Sequence, residues 1–269
     1  MVNYFLAFTI GTCIGSFLNV VIYRFQKNVS IITPRSFCPK CKTKLTWKEN
    51  IPLISYLIQD RKCLHCNESI SFKYPLIEFL TGILFIVFIK SSPSFFISNS
   101  SLFLNLFFNW LFLSLLICIA LIDIDSFWIP QGLINFGFIS GILGLILIGL
   151  FDNQYIDFYL LLKGLSTSLS AFFIFESLRY LAKCFFKKDA IGKGDSKLVA
   201  MLALWLGPIG TLFAVGISYI FAAIYCLIGL PFNLVKFKQV IPFAPFLSLG
   251  GLLIWLIGND FVIKKILLI

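Results

Sequence analysis

The run LFLNLFFNWLFLSLLICIALIDID, residues 102–125, decides the fold. Residues 102–122 carry no charge, and a helix of about 20 apolar residues crosses a bilayer core. Asp123 and Asp125 follow at once. A carboxylate at the edge of lipid is costly to keep ionised, so it usually has a task. A second such acid closes Gly192-Lys193-Gly194-Asp195, just ahead of another apolar run. Two acids at matched depth suggest one shared site.

Outward from that stretch, the whole chain reads the same way. Of its 269 residues 59% are hydrophobic, mean hydropathy is +0.96, and only 13% are charged, against about 25% in a soluble domain. This is an all-α polytopic membrane protein. Spans are expected near 4–23, 76–90, 102–122, 129–150, 157–182, 195–206, 208–230 and 243–258, about eight in all, with only Gly207-Pro208 between the sixth and seventh. The first run has neither a basic leader nor a small-residue cleavage site, so it reads as a retained span rather than a signal peptide.

A net charge of +10 invites a nucleic-acid reading, but the placement of the charges argues against one. Ten Lys or Arg fall in 24–75. Lys183, Lys187, Lys188, Lys193 and Lys197 follow one later span, Lys236 and Lys238 follow another, and Arg179 lies at the same end of its span. With eight spans these share one side, and Lys90, Lys163, Lys264 and Lys265 fall on the other. By the positive-inside rule the N-terminus is outside and the large loop cytoplasmic. Lipid is then the expected surface partner, and no nucleic acid.

That loop carries Cys38-Pro39-Lys40-Cys41 and Cys63-Leu64-His65-Cys66. Four thiolates in two such knuckles suit a tetrahedral, structural Zn²⁺. The loop is too short for a large core, so the metal would supply its folding energy. Two disulfides are the competing reading, disfavoured in a reducing compartment. His65, the one histidine of the chain, is expected to be an exposed knuckle residue rather than a ligand. Cys13, Cys118, Cys184 and Cys226 read as small hydrophobes.

A single histidine also excludes chemistry. There is no HExxH metalloprotease motif and no histidine free for a membrane Ser–His dyad. Bond cleavage would fall to the carboxylates. Two that share a site hold one proton between them; the ionised member activates water while the protonated one hydrogen-bonds the scissile carbonyl. Asp123 and Asp125 point about 200° apart on a helix, so only one of them can face Asp195, and geometry leaves the choice open. Gly192 and Gly194 are expected to permit a sharp turn and close approach of substrate backbone. The plainer alternatives are that Asp195 caps its helix and Asp123 marks a span exit. Other polar positions read as structure first. Gly11 and Gly15 allow close helix packing, and Asn19 bonds across helices. Glu176 and Arg179 pair at i, i+3, and Glu78 after Pro75 suits a helix N-terminus.

In order along the chain, these residues resemble the bacterial type IV prepilin peptidases, within the GxGD membrane aspartyl proteases. The elements are Gly15-Ser16-Phe17-Leu18-Asn19-Val20-Val21-Ile22-Tyr23-Arg24, the paired knuckles flanking Trp47-Lys48-Glu49-Asn50-Ile51-Pro52 and Ser55-Tyr56, and Tyr74-Pro75-Leu76-Ile77-Glu78. Ile122-Asp123, Ile129-Pro130, Gly192-Lys193-Gly194-Asp195, Lys197-Leu198 and Pro242-Phe243-Ala244-Pro245 come after them. The resemblance implies an endopeptidase of the bacterial cytoplasmic membrane that removes the leader of prepilins and pseudopilins, with Asp123 and Asp195 as the catalytic pair. It further implies N-methylation of the new terminus with S-adenosylmethionine. Asn19, Glu49, Asn50 and Glu78 are then candidate substrate or cofactor contacts. The implied organisation is a first span (1–23), a cytoplasmic zinc-binding and methyltransferase-associated domain (24–75) and a membrane peptidase domain (76–269). Two positions depart from the family pattern. Gln131 stands where an aspartate is frequent. Arg61 stands where glycine is common, in a region tied to methyl transfer, and arginine is expected to resist the φ > 0 conformations that glycine allows. An ion-coupled transporter using the acids as a proton relay, or a zinc-dependent assembly scaffold, are the competing functions.

Overall fold

The computed structural model describes residues 4–89, 102–153, 158–187, 192–232 and 240–258. Among these, the regular structure is helical: α1 (Tyr4–Lys27), α2 (Ile54–Ile58), α3 (Lys73–Val87), α4 (Leu102–Ser126), α5 (Gln131–Asn153), α6 (Phe158–Phe186), α7 (Lys193–Gly229) and α8 (Ala244–Ile257), with a 3₁₀ turn at Lys48–Asn50. The chain divides into two compact units, residues 1–90 and 91–269. Lys90, Lys188, Lys236, Lys238, Lys264 and Lys265, each assigned above to one side of the membrane, lie outside the described residues.

In the first unit α1 packs against α3. The contact needs backbones in near touch, and glycine supplies it: a Cβ on Gly11 would lie 2.8 Å from Gly82 Cα, and one on Gly15 2.7 Å from Glu78 Cα. Asn19 fastens the same pair, its Nδ2 donating to Tyr74 O at 3.1 Å. Both expectations for this helix hold. Arg24, counted above among loop charges, is instead buried. It donates to the carbonyls of Ser30 (2.8 Å), Ile31 (2.9 Å) and Pro34, and so closes the chain that leaves α1.

In the second unit α7 lies against α5, α6 and α8, and α4 against α8 and α5. The first half of α7, from Leu198 to Leu206, is wholly buried. Rings of α4, α7 and α8 meet there: Phe112 stacks on Trp205 at 4.8 Å, and Phe112 and Trp255 lie 4.6 Å apart. Each indole N–H has an acceptor, Trp205 Nε1 on Gly137 O (2.9 Å) and Trp255 Nε1 on Asn109 Oδ1 (2.9 Å), as buried tryptophan requires. Ser168 Oγ ties α6 to Ala200 O at 2.8 Å.

Among the described residues, four helices are long and apolar enough to cross a membrane: Tyr4–Lys27, Phe103–Ser126, Phe158–Phe185 and Lys193–Gly229. The expected eight spans are met more loosely. The sixth and seventh form the single 37-residue α7. It is broken rather than ended at Gly207, whose φ of 70° only glycine takes cheaply and where Pro208 interrupts the helix. α3, at 15 residues, is about 22 Å long, short of the ~30 Å apolar core. Ala244–Ile257 and Gln131–Leu147 are likewise shorter apolar helices.

Candidate functional site

Asp123 and Asp195 are each placed by a local backbone device. α4 ends just past Asp123, where Phe127 turns left-handed (φ 52°) and returns its N–H to Asp123 O at 2.9 Å. That leaves the Asp123 carboxylate buried, 5% exposed, facing the start of α8. Ala244 N–H donates to its Oδ2 at 3.2 Å. Pro242 and Pro245, either side, have no N–H of their own, so Ala244 presents the positive end of α8 to an acid. Asp125 points elsewhere and is exposed, in keeping with the ~200° separation on the helix.

Asp195 sits in the first turn of α7 and is 9% exposed. It accepts Gly192 N–H on Oδ2 at 3.2 Å and gives its own N–H to Gly192 O at 3.2 Å. The capping role named as the plainer alternative is therefore real, and leaves lone pairs on the carboxylate to spare. Asp123 and Asp195, from α4 and α7, lie close enough for their charges to interact; Tyr219 is also within electrostatic reach of Asp195. The turn at the two glycines is made without left-handed backbone. Gly192 is ordinary extended backbone (φ −68°, ψ 142°), and neither glycine has positive φ. What they provide is room: a Cβ on Gly192 would meet Asp195 Oδ2 at 2.9 Å, and one on Gly194 would meet Ile129 at 3.0 Å. Gln131 joins the same end of the unit, its Oε1 accepting Lys197 Nζ and its Nε2 donating to Asn135 at 2.8 Å. The Glu176–Arg179 pair is formed, at 2.6 Å.

The cysteine loop folds as two like knuckles. Cys38 N–H bonds Thr43 O and Lys42 N–H returns to Cys38 O; Cys63 N–H bonds Glu68 O and Asn67 N–H returns to Cys63 O, all at 2.9–3.0 Å. Lys42 and Asn67 occupy the same left-handed position in each, φ 61° and 56°. The four Sγ atoms of Cys38, Cys41, Cys63 and Cys66 lie within 4.8 Å of one another. A tetrahedron of 2.3 Å metal–sulfur bonds has edges of about 3.8 Å, and the Cys38–Cys66 separation is 3.9 Å. The cluster can hold a metal ion, and the cysteines are free thiols. Thr43 donates to Cys41 Sγ at 3.2 Å. Thr43, by side chain and then backbone, draws the Cys41 thiol down to about 6.

Between the knuckles and the α1–α3 pair lies a cavity of about 180 Å³. Asn19, Glu49, Asn50 and Glu78 all line it, with Tyr23, Phe37, Tyr56 and Tyr74 among its walls. Glu49 is held on both oxygens. Its Oε2 takes Thr46 N–H (2.7 Å) and Thr46 O–H (2.6 Å), and its Oε1 lies 3.1 Å from His65 Nε2. The Thr46 bonds, side chain first, hold its carboxyl below the ordinary glutamate range. Glu78 accepts Leu53 N–H at 2.8 Å and has Ser16 as a second partner. His65 is thus a knuckle residue with a fixed partner, 39% exposed, a link that its position next to Cys66 did not announce. Arg61 adopts φ 63° after all, held by Arg61 N–H on Tyr56 O (3.1 Å) and Ile70 N–H on Arg61 O (2.7 Å).

Comparison with known proteins agrees with this architecture. Residues 9–91 match the family described as Bacterial Peptidase A24 N-terminal domain, and residues 110–227 the Type IV leader peptidase family. The chain is 32% identical to a Type 4 prepilin-like proteins leader peptide-processing enzyme of Escherichia coli O78:H11, over 90% of this chain and 89% of that one. It is 32% identical to a prepilin leader peptidase/N-methyltransferase of Bacillus subtilis, over 95% and 94%. It is 35% identical to one so named from Myxococcus xanthus, over 74% of this chain and 55% of the relative. No solved structure matches. Two family matches in register, and relatives aligned over nearly their full lengths, make this chain a member of the type IV leader peptidase family.

Proposed function

We propose that this protein is a membrane aspartyl endopeptidase that removes the leader of prepilin-like substrates, and that it then methylates the new N-terminus. Asp123 and Asp195 are the catalytic pair. The observation that carries the reading is their shared setting: both are buried, their charges interact, and each is held by a single backbone N–H. One ionised carboxylate takes a proton from water as the hydroxyl attacks the scissile carbonyl. Its protonated partner donates a hydrogen bond to that carbonyl, and the proton taken from water passes from the first carboxyl to the leaving amine as the C–N bond breaks, which restores the pair. Two buried acids whose charges repel each other hold a single proton readily, which supplies both roles at once. Gly192 and Gly194, in this reading, keep the loop narrow beside Asp195.

The methyl-transfer reading rests on the first-unit cavity. The Glu49 carboxylate among tyrosine and phenylalanine walls suits a compact organic cation, through charge and ring faces. S-adenosylmethionine, when bound, supplies an electrophilic methyl group on such a cation. Glu49 then offsets its positive charge, and Asn19, Asn50 and Glu78 line the remainder. Zn²⁺ is the metal that the Cys₄ donor set suits best; it would hold the knuckles that wall the cavity. The segment 24–75, with the stretches of α1 and α3 that line the same cavity, is accordingly assigned to methyl transfer, and the remainder of 76–269 to cleavage. The arginine and lysine distribution supports an N-terminus outside the cytoplasmic membrane and a cytoplasmic knuckle loop. The comparisons lend the transporter alternative no support.

Mass spectrometry of a prepilin-like peptide incubated with the purified protein tests both parts. The expected product lacks the leader, and gains one methyl group when S-adenosylmethionine is present. An uncut peptide would refute the endopeptidase reading. A cut but never methylated product would refute the second activity alone.

A further inference from the structure

The two acids of the first-unit cavity are not equivalent. Glu49 is the more fully engaged: Thr46 occupies one oxygen twice and His65 faces the other. A carboxylate so held stays ionised and has little capacity to take up a proton. Glu78 is differently placed. It is 9% exposed, lies on α3 where Gly15 lets α1 pass almost backbone to backbone, and lines the same cavity. A carboxylate offers about four lone-pair sites, and Glu78 engages Leu53 N–H and Ser16, which leaves capacity for a proton. The Leu53 bond also fixes orientation, since Leu53 is held at the uncommon φ of 61° with its N–H aimed at the acid.

Resting on the methyl-transfer reading above, the geometry points to Glu78 as the general base of that reaction, a further catalytic residue beside the Asp123–Asp195 pair. Amine methylation requires a deprotonated nitrogen, and a base beside the donor site supplies it. The new N-terminus arrives as an ammonium, which has no lone pair. Glu78 takes one proton, and the electron pair of that N–H bond stays on nitrogen. The amine then attacks the methyl carbon: an N–C bond forms, the C–S bond breaks, and its pair returns to sulfur, turning the sulfonium donor into a neutral thioether. The product is a secondary ammonium, and Glu78 passes its proton to water. Glu49 stays charged throughout and balances the cation.

The test uses the full-length protein in detergent, with S-adenosylmethionine, a prepilin-like peptide to read cleavage and the same peptide without its leader, bearing a free N-terminus, to read methylation. Glu78→Gln keeps an acceptor for Leu53 N–H and removes the base. Expected are leader cleavage and S-adenosylmethionine affinity (by calorimetry) within about 3-fold of wild type, with methyl-transfer kcat down by at least ~100-fold, the usual scale of a general base. Methylation at near wild-type rate would overturn the proposal. So would loss of donor affinity in step with turnover, because Glu78 would then be a binding or structural group. Should the glutamine variant not accumulate, Glu78→Asp decides: it is expected to retain about a tenth of the turnover or more at unchanged donor affinity, and full inactivity with the donor still bound would overturn the base. A wild-type protein that cleaves but neither binds S-adenosylmethionine nor methylates would remove the parent reading and this one with it, a pattern distinct from any variant result.

Discussion

At the scale of single residues, a side chain's worth is set by what it meets, and that separates what sequence can announce from what it cannot. Asp123 and Asp195 are conspicuous before any coordinates exist, because charge beside lipid is expensive. Asn19 and the Gly11–Gly15 pair are legible for the same kind of reason: polarity or missing bulk inside an apolar helix demands a partner. Arg24 was not legible, since a basic residue at the end of a span looks like a topology signal until its three carbonyl partners are in view. Nor was the tight clearance of Gly192 from Asp195 and of Gly194 from Ile129. Arg61 shows the converse. The fold imposes φ 63° on it, a conformation that costs a non-glycine residue about 1–2 kcal/mol. Arg61→Gly relieves that strain while loosening the unfolded chain. The variant is expected to gain about 0.5–1 kcal/mol, read as a higher midpoint for release of the knuckle loop to protease. A lower midpoint would mean that the arginine side chain itself holds the loop.

At the scale of elements, the knuckle pair is the clearest case of local sequence dictating local structure. Each CxxC carries its own turn, closed by the same two backbone bonds and the same left-handed residue, so the halves need only be brought together for four thiols to converge. Little apolar surface is buried there: Trp47, Leu57, Ile58 and Leu64 are exposed. A bound metal would therefore carry much of the stability of this element. Purified protein is expected to contain about one zinc per chain. Cys38→Ser or Cys63→Ser should lose it, and so should treatment with a strong chelator, with the loop becoming protease-sensitive each time. Metal analysis that finds none in folded, active protein would contradict this. α7 teaches a different lesson. Gly207-Pro208 looks like a boundary between two spans, yet helix resumes directly, because a glycine at φ 70° accommodates the next residue, a proline, without a loop. Composition marks the break but not whether a loop or more helix lies beyond it.

At the scale of the whole molecule, the proposed cleavage depends on α4 and α7, with 66 residues between the end of one and the start of the other, delivering two acids to one place. The order of apolar runs made a helical membrane protein plain, but which helices touch depends on shape. The Phe112–Trp205–Trp255 cluster and the fit of α8 against α7 at Gly250 have no periodic signature. Nor does the Ala244 N–H that receives Asp123. Cleavage of a prepilin-like peptide by matched amounts of purified wild type, Asp123→Asn, Asp195→Asn and Asp125→Asn protein tests that convergence most directly. The account predicts that Asp123→Asn and Asp195→Asn each lower the rate by at least ~100-fold, as loss of an acid–base group does, while Asp125→Asn keeps measurable activity. Leader removal at a near wild-type rate by either of the first two variants, in folded protein, would contradict it.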